Sequence, residues 1–321
     1  MINSIKKADP KSKIIFITTP AGETMLRNDN SIDHIIVYDK KGIDRSIAGI
    51  YKTGKKIKEI LHGEKSVYIS LHRFIRASLL GRIIGSEIRA GFKNSVLSFL
   101  YTERVDYELG IHETERNFKL LFSVLGEKLK GRSPLPPVLI PSDTDIKKVK
   151  KIINGFCRSK KIISIAPGSV WETKRWPAEY FRELIAGLGN NNVKIVLIGG
   201  REDRDLCRSL ETHNTLNLAG ELSLLESAAA VGMSGLLVTN DSAPLHIASA
   251  MNVPTVAIFG ATVQDFGFGP LAKRSVVLEN NALGCRPCGR HGSRECAKKH
   301  FNCMKSIAPG RVLDAVMKII K

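Results

Sequence analysis

Aromatic side chains make up only 6% of this 321-residue chain, and just two of them are tryptophan, Trp171 and Trp176. Proteins that grip single-stranded nucleic acid stack bases on aromatics set among basic residues. No such interleaving is present, so no nucleic-acid partner is expected. Long apolar runs are missing too: none approaches the ~18 residues that a bilayer-spanning helix needs. Met1 is not followed by the charged stretch and apolar stretch of a secretory signal. These absences lead to the expectation of a cytoplasmic protein without a membrane-spanning helix. Internal repeats and low-complexity tracts are also lacking. Cysteine is scarce, six in all, and four of the six crowd into Cys285–Cys303.

What the chain has in excess is positive charge. The formal net charge is +18. Residues 1–161 hold 31 Lys/Arg against 17 Asp/Glu, and residues 162–321 hold 18 against 14. A basic first half suits an anionic partner such as lipid headgroups or a phosphorylated glycolipid, or it is a lysine-rich solvated surface. The hydrophobic share of 43% and the length are ample for two packed cores.

Apolar runs alternate with helix-like stretches, the pattern of a parallel α/β fold. The first half offers strands at Lys13–Thr18, Ile35–Tyr38 and Ser66–Ser70, with helices at Thr53–Leu61, Phe74–Ile84 and Phe118–Leu125. Gly131–Pro137 holds three prolines and reads as the start of a linker. Ile146–Phe156 follows as a helix. A second series of strands lies near 162–166, 193–198, 215–218, 236–239 and 255–259.

Two turns in that second series have the chemistry of an anion site. After Gly235-Leu236-Leu237-Val238 the chain breaks at Thr239-Asn240-Asp241-Ser242-Ala243 and resumes as a helix at Pro244-Leu245-His246. Asp241 or Ser242 suits the helix N-cap, and Pro244 suits the first helical position. A helix start offers free N–H groups and a positive dipole end to a diphosphate. The second turn follows Ile162–Ile165: Ala166-Pro167-Gly168-Ser169, then Lys174-Arg175-Trp176-Pro177. A Lys-Arg pair beside such a turn favours phosphate.

These two segments resemble the bacterial ADP-heptose:lipopolysaccharide heptosyltransferases of glycosyltransferase family 9, nearest to the heptosyltransferase II type. So do Ile195–Glu202, Leu216–Leu224, Ile258–Thr262 and the cysteine-containing tail. The likeness is dense from Lys161 onward and thinner before it. It implies a GT-B fold: two Rossmann-like domains facing a cleft, here 1–140 for the acceptor and 141–321 for the nucleotide sugar. It implies an inverting transfer of heptose from ADP-heptose to the lipid A-core oligosaccharide, with peripheral contact at the cytoplasmic face of the inner membrane and with no cofactor or metal.

The resemblance also assigns residues. Lys174 would neutralise the departing diphosphate. Ser169 would supply a donor-loop hydroxyl, Glu202 would accept from the ribose hydroxyls, and Leu222 would touch the adenine. Asp241, Ser242 and Ala243 would contact the diphosphate and sugar, with His246 close by. Ala243 stands where the family commonly has glycine, which bears on a loop needing positive φ. Arg175 is read as a support for Trp176. Arg73 and Arg76 are candidate acceptor contacts, or part of a solvated helix face.

Family members open with a strand and a Gly-Asp loop whose aspartate is held to be the general base. Met1–Pro10 instead resembles the helix after that loop, so the first strand and the base have no counterpart. Losing a central strand would cost several kcal/mol, which favours a start assigned too late over a true truncation. Asp9 reads as a turn residue, not a substitute base. The pattern Cys285-x2-Cys288-x7-Cys296-x6-Cys303, with His291 and His300, leaves open a zinc site, reduced structural thiols or a disulfide. Three functions stay in play: a heptosyltransferase, an inactive ADP-sugar-binding remnant, or a relative using another donor.

Overall fold

The computed structural model describes residues 1–157, 161–189, 191 and 193–320. The chain divides into two compact units, Met1–Leu135 and Pro136–Lys321.

The first unit runs α1 (Ile2–Ala8), β1 (Ile15–Thr18), α2 (Pro20–Leu26), β2 (His34–Val37), α3 (Ile47–Leu61), β3 (Val67–Ile69), α4 (Ile75–Ile84), β4 (Ile88–Phe92), β5 (Glu103–Val105) and α5 (Glu113–Leu125). Its strands form two parallel sheets, β1-β2 and β3-β4-β5. Among the described residues no strand joins β1 to β3. Both sheets nevertheless lie on one apolar layer, in which Ile15, Ile17 and Ile36 of the first and Tyr68 of the second pack with Ile50, Ile57, Leu80 and Ile84 of α3 and α4. Gly54 makes that layer tight, because a Cβ there would strike Ile83 Cγ2. Helix α3 begins at Ile47, six residues before the periodicity predicts. Ser46 sets this start by accepting a hydrogen bond from Gly49 N. Asp9 ends α1 and pairs with Lys128 at 2.8 Å, a structural role in keeping with a turn residue.

The second unit contains α6 (Asp143–Phe156), β6 (Lys161–Ala166), α7 (Ala178–Gly189), β7 (Val193–Leu197), α8 (Arg204–Arg208), β8 (Thr215–Asn217), α9 (Leu224–Gly232), β9 (Leu236–Asn240), α10 (Ala243–Met251), β10 (Thr255–Ile258), β11 (Ser275–Leu278), α11 (Asn302–Lys305) and α12 (Pro309–Ile320). Its six strands are all parallel, in the order β11-β10-β9-β6-β7-β8. Counted within the unit this is 6-5-4-1-2-3, the doubly wound order of dinucleotide-binding sheets. Strand β6 pairs with β7 on one side and β9 on the other, so the chain reverses its direction of progress between β6 and β9. Ligands of such sheets bind outside the carboxyl ends of the strands at that switch point.

The strands are near-continuous apolar runs because both faces are covered. One face packs on α7 and α12 through Phe181, Leu184, Val312 and Val316. The other packs on α6, α9 and α10 through Val149, Ala228, Ala229 and Ile247. Two capping boxes fix the starts of α6 (Ser142, Asp145) and α9 (Ser223, Glu226). Trp176 is 2% exposed, and its indole N–H donates to Ile307 O at 2.8 Å.

Candidate functional site

The loops leaving β6 and β9 converge at the switch point. Ala166 of β6 stands beside Thr239 of β9, so the two loops begin side by side. Asn240, fully buried, ties them together: its amide donates to Pro167 O at 2.8 Å, and its carbonyl oxygen accepts from Trp176 N at 3.1 Å. This clasp places Lys174 opposite Asp241. Lys174 Nζ lies 2.6 Å from Asp241 Oδ2, with the side chains 14% and 8% exposed. The same carboxylate oxygen accepts from Thr262 Oγ1 at 2.6 Å. The loops after β6, β9 and β10 thus meet at one oxygen atom.

A half-buried lysine held by a carboxylate, with its ammonium at the mouth of the strands, can trade that partner for a phosphate. Helix α10 begins beside it. Ser242 occupies the N-cap with extended backbone, but its hydroxyl makes no cap bond. It lies 3.4 Å from Thr239 Oγ1 instead. The amides of this helix start therefore have no side-chain cap, which leaves them suited to an anion. The first helical residue is Ala243, and Pro244 is the second, one place later than the sequence suggests. Ala243 is exposed and is not among the residues of positive φ, so the loop accommodates a Cβ at that position.

The other expected donor residues are placed as follows. Ser169 is buried, and its Oγ accepts from Trp171 N at 3.4 Å. Arg175 does not support Trp176 but braces Ser169, its Nε donating to Ser169 O at 2.7 Å, and it pairs with Glu172 at 2.6 Å. Glu202 is exposed just past the carboxyl end of β7. Its neighbour Asp203 holds the turn, accepting from Gly200 N at 2.9 Å. Gly168 and Gly199 are needed there, because a Cβ on either would strike the Asp203 side chain. Leu222 is half-buried ahead of α9 and packs on the core. His246 is exposed on α10, its ring 6.4 Å from that of Phe268.

In the first unit, Arg73 stacks over the Tyr107 ring at 3.9 Å. Arg76 donates to Lys40 O and Arg45 O at 3.3 and 2.7 Å, and to Tyr38 Oη at 3.4 Å, so its donors fasten the loop after β2. His72, just past the carboxyl end of β3, was not singled out in the sequence. Burial, then the positive charge of Lys40, push its pKa below 6.5, and Glu113 opposes them only in part. The imidazole is expected to be neutral at pH 7. An NMR titration of His72 should give a midpoint below 6.5, and a midpoint above it would contradict this environment.

The cysteines are free thiols, and among the described residues no group of three or more His, Cys, Asp or Glu is placed to hold a metal ion. Cys285 Sγ lies 3.9 Å from His300 Nε2. Burial works against ionisation of Cys296, but the backbone N–H groups of Phe301, Lys298, His300 and Lys299 outweigh it and lower the pKa. Burial raises Cys303 to about 11 and Cys207 to about 12, and it also raises Cys288. Because the thiolate is the nucleophile, iodoacetamide at neutral pH should label Cys296 ahead of Cys288, although Cys288 is the more exposed. Peptide mass spectrometry showing Cys288 labelled first would contradict the assignment.

Thr262 and Asn240 belong to segments whose likeness was noted, yet neither was picked out, since each acts on a loop far away in sequence. Among the described residues no helix is long and apolar enough to cross a membrane.

Lipooligosaccharide heptosyltransferase 2 of Campylobacter jejuni is 27% identical over 234 residues, covering 71% of this chain and 65% of that protein. Lipopolysaccharide heptosyltransferase 2 of Escherichia coli is 29% identical over 171 residues, covering 50% of this chain and 47% of that protein. The chain thus spans under two thirds of the length of these relatives. Among solved structures, a family 9 glycosyl transferase from Veillonella parvula superposes with a TM-score of 0.83 at 24% identity, covering 99% of this chain and 91% of the other. E. coli ADP-heptose lps heptosyltransferase II superposes at 0.77 and 21% identity, covering 99% and 92%. The fold is α/β of the GT-B type. The family model matches residues 54–299, and the chain belongs to glycosyltransferase family 9 (heptosyltransferase).

Proposed function

We propose that this protein transfers heptose from ADP-heptose to a hydroxyl of the lipopolysaccharide inner core, with inversion at the anomeric carbon. The observation that carries the reading is the Lys174–Asp241 pair at the switch point, beside the uncapped start of α10. As the glycosidic bond breaks, the leaving diphosphate gains negative charge. A cation and helix amides already aimed at that charge stabilise the transition state more than the ground state. Lys174 leaves Asp241 for the phosphate, while Thr262 keeps its hydrogen bond to the carboxylate. Glu202 at the end of β7 is the candidate for the ribose hydroxyls and Leu222 for the adenine edge. Ser169 and His246 complete the donor contacts.

On the acceptor side, the first unit sets Lys40 near the neutral imidazole of His72, with Arg73 next along the chain, past the carboxyl ends of β2 and β3. The two cations suit phosphate or carboxylate groups on a core oligosaccharide, and the imidazole can add a hydrogen bond. The basic surplus of residues 1–161 supports peripheral contact with anionic lipid at the cytoplasmic face of the inner membrane.

The test is incubation of purified protein with ADP-heptose and a heptose-deficient core lipopolysaccharide, read by mass spectrometry of the glycolipid. Addition of one heptose supports the reading. Tight ADP binding with no transfer to any such acceptor would leave a nucleotide-sugar-binding protein. Transfer from UDP- or GDP-sugars alone would overturn the donor assignment.

A further inference from the structure

The segment between β11 and α11 reaches back to the donor loops at two places, and one arginine anchors it. The Arg286 side chain is 2% exposed, and its five N–H groups all find acceptors. Nε donates to Gly260 O, and Nη2 to Thr262 O at 2.7 Å, both on the loop after β10. Nη2 also meets Glu279 Oε2 at 2.8 Å, and Nη1 reaches Asn280 O and Asn281 Oδ1 at 2.7 and 3.1 Å, all on the loop after β11. A planar fork of this kind holds two loops at a fixed spacing, which an ammonium on a flexible stem cannot do. Next to it, Cys288 N donates to Ala261 O at 2.9 Å.

The consequence is felt at Asp241. Thr262, whose carbonyl Arg286 holds, is the residue whose hydroxyl donates to Asp241 Oδ2. That oxygen also carries Lys174. The same segment holds the lysine from its other side: Ser293 N donates to Thr173 Oγ1 at 2.8 Å, and Thr173 N donates to Ser293 O at 3.1 Å. Gly292 makes that approach possible, since a Cβ there would stand 3.1 Å from Thr173 Oγ1 and 3.2 Å from Lys174 Cγ.

We infer that Arg286 is a positioning residue for the donor site, acting through Thr262 and Asp241 to fix where Lys174 presents its ammonium. The inference rests on the proposed donor site for its catalytic meaning, but the positioning itself can be read without turnover. Arg286→Lys keeps the charge and loses the fork. Thr262→Val keeps the shape and removes the hydroxyl that Arg286 places.

In the full-length protein, Lys174 in both variants should react with a succinimidyl ester about 5- to 10-fold faster than in the wild type, because the Asp241 carboxylate, no longer held in place by the Thr262 hydroxyl, turns away from the lysine and leaves it without its charge-assisted partner. Lys305 and Lys318 serve as internal standards in the same digest and should be unchanged. ADP affinity, by calorimetry, should weaken about 10-fold in both variants. If transfer is observed, kcat should fall more than KM rises. Unchanged Lys174 labelling and ADP affinity in variants that melt like the wild type would overturn the inference. So would a uniform rise in labelling at all three lysines, or failure of Arg286→Lys to fold, because either makes the arginine a general structural support. If the wild type binds no ADP, the functional proposal falls while the Lys174 labelling still decides this one.

Discussion

If the proposed heptose transfer is right, Lys174→Ala should lower its rate by about 100- to 1000-fold, the range seen when one preorganised donor to a developing anion is removed. The loss falls on kcat more than on KM, because the charge that Lys174 meets grows as the sugar–phosphate bond breaks. Lys174→Arg keeps the charge but replaces a point donor with a planar fork, and it restores only part of the rate. Stability shifts less. Asp241, 8% exposed, loses its ion partner but keeps the Thr262 hydroxyl. A carboxylate left buried with one hydrogen bond costs about 1–3 kcal/mol, and a second substitution, Asp241→Asn, should recover most of that. Steady-state kinetics below the melting transition separate the two effects. A Lys174→Ala protein with a rate within about threefold of wild type, well short of the loss expected for a charge-stabilising donor, would remove the lysine from the mechanism.

The second large effect is on folding. Asn240→Leu leaves Pro167 O and Trp176 N buried without their partners at 2.8 and 3.1 Å. Each orphaned backbone group costs about 1–3 kcal/mol, so the urea midpoint should drop by the equivalent of about 3 kcal/mol. ADP affinity should fall with it, since the β6 and β9 loops lose their clasp. Ser242→Ala, two residues on, should change stability by less than about 0.5 kcal/mol, well under the usual value of a helix cap, because the Ser242 hydroxyl makes no cap bond. Equal destabilisation by the two substitutions would contradict the division of labour between a loop clasp and an open helix start.

The contrast between Asn240 and Ser242 shows what a linear sequence conveys. The β9–α10 turn is legible because an apolar strand, a short polar break and a proline lie in one continuous stretch. Lys174 is legible for the same reason, as a basic residue beside a glycine turn. Asn240, Thr262 and Arg286 are ordinary polar residues until the sheet order brings β6, β9 and β10 side by side. Their partners lie 73, 21 and 24 residues away. Arg175 is legible as a cation beside the turn but its partner is not, since its guanidinium turns back to Ser169 O. Strands β4 and β5 went unseen because Ile88–Phe92 and Glu103–Val105 mix charge into short runs. The early start of α3 was hidden by Gly49, which dilutes helix propensity locally but serves the tight turn at Asp44. The split of the first unit into β1-β2 and β3-β4-β5 is likewise a property of pairing rather than of any one segment.

On the proposed reading, the switch point between β6 and β9 holds the donor's diphosphate. A crystal structure of the protein with ADP tests it most directly. The diphosphate should lie within about 3 Å of Lys174 Nζ and of the backbone amides at Ser242 and Ala243, with the adenine toward Leu222. ADP bound elsewhere, with Lys174 still paired to Asp241, would contradict the account.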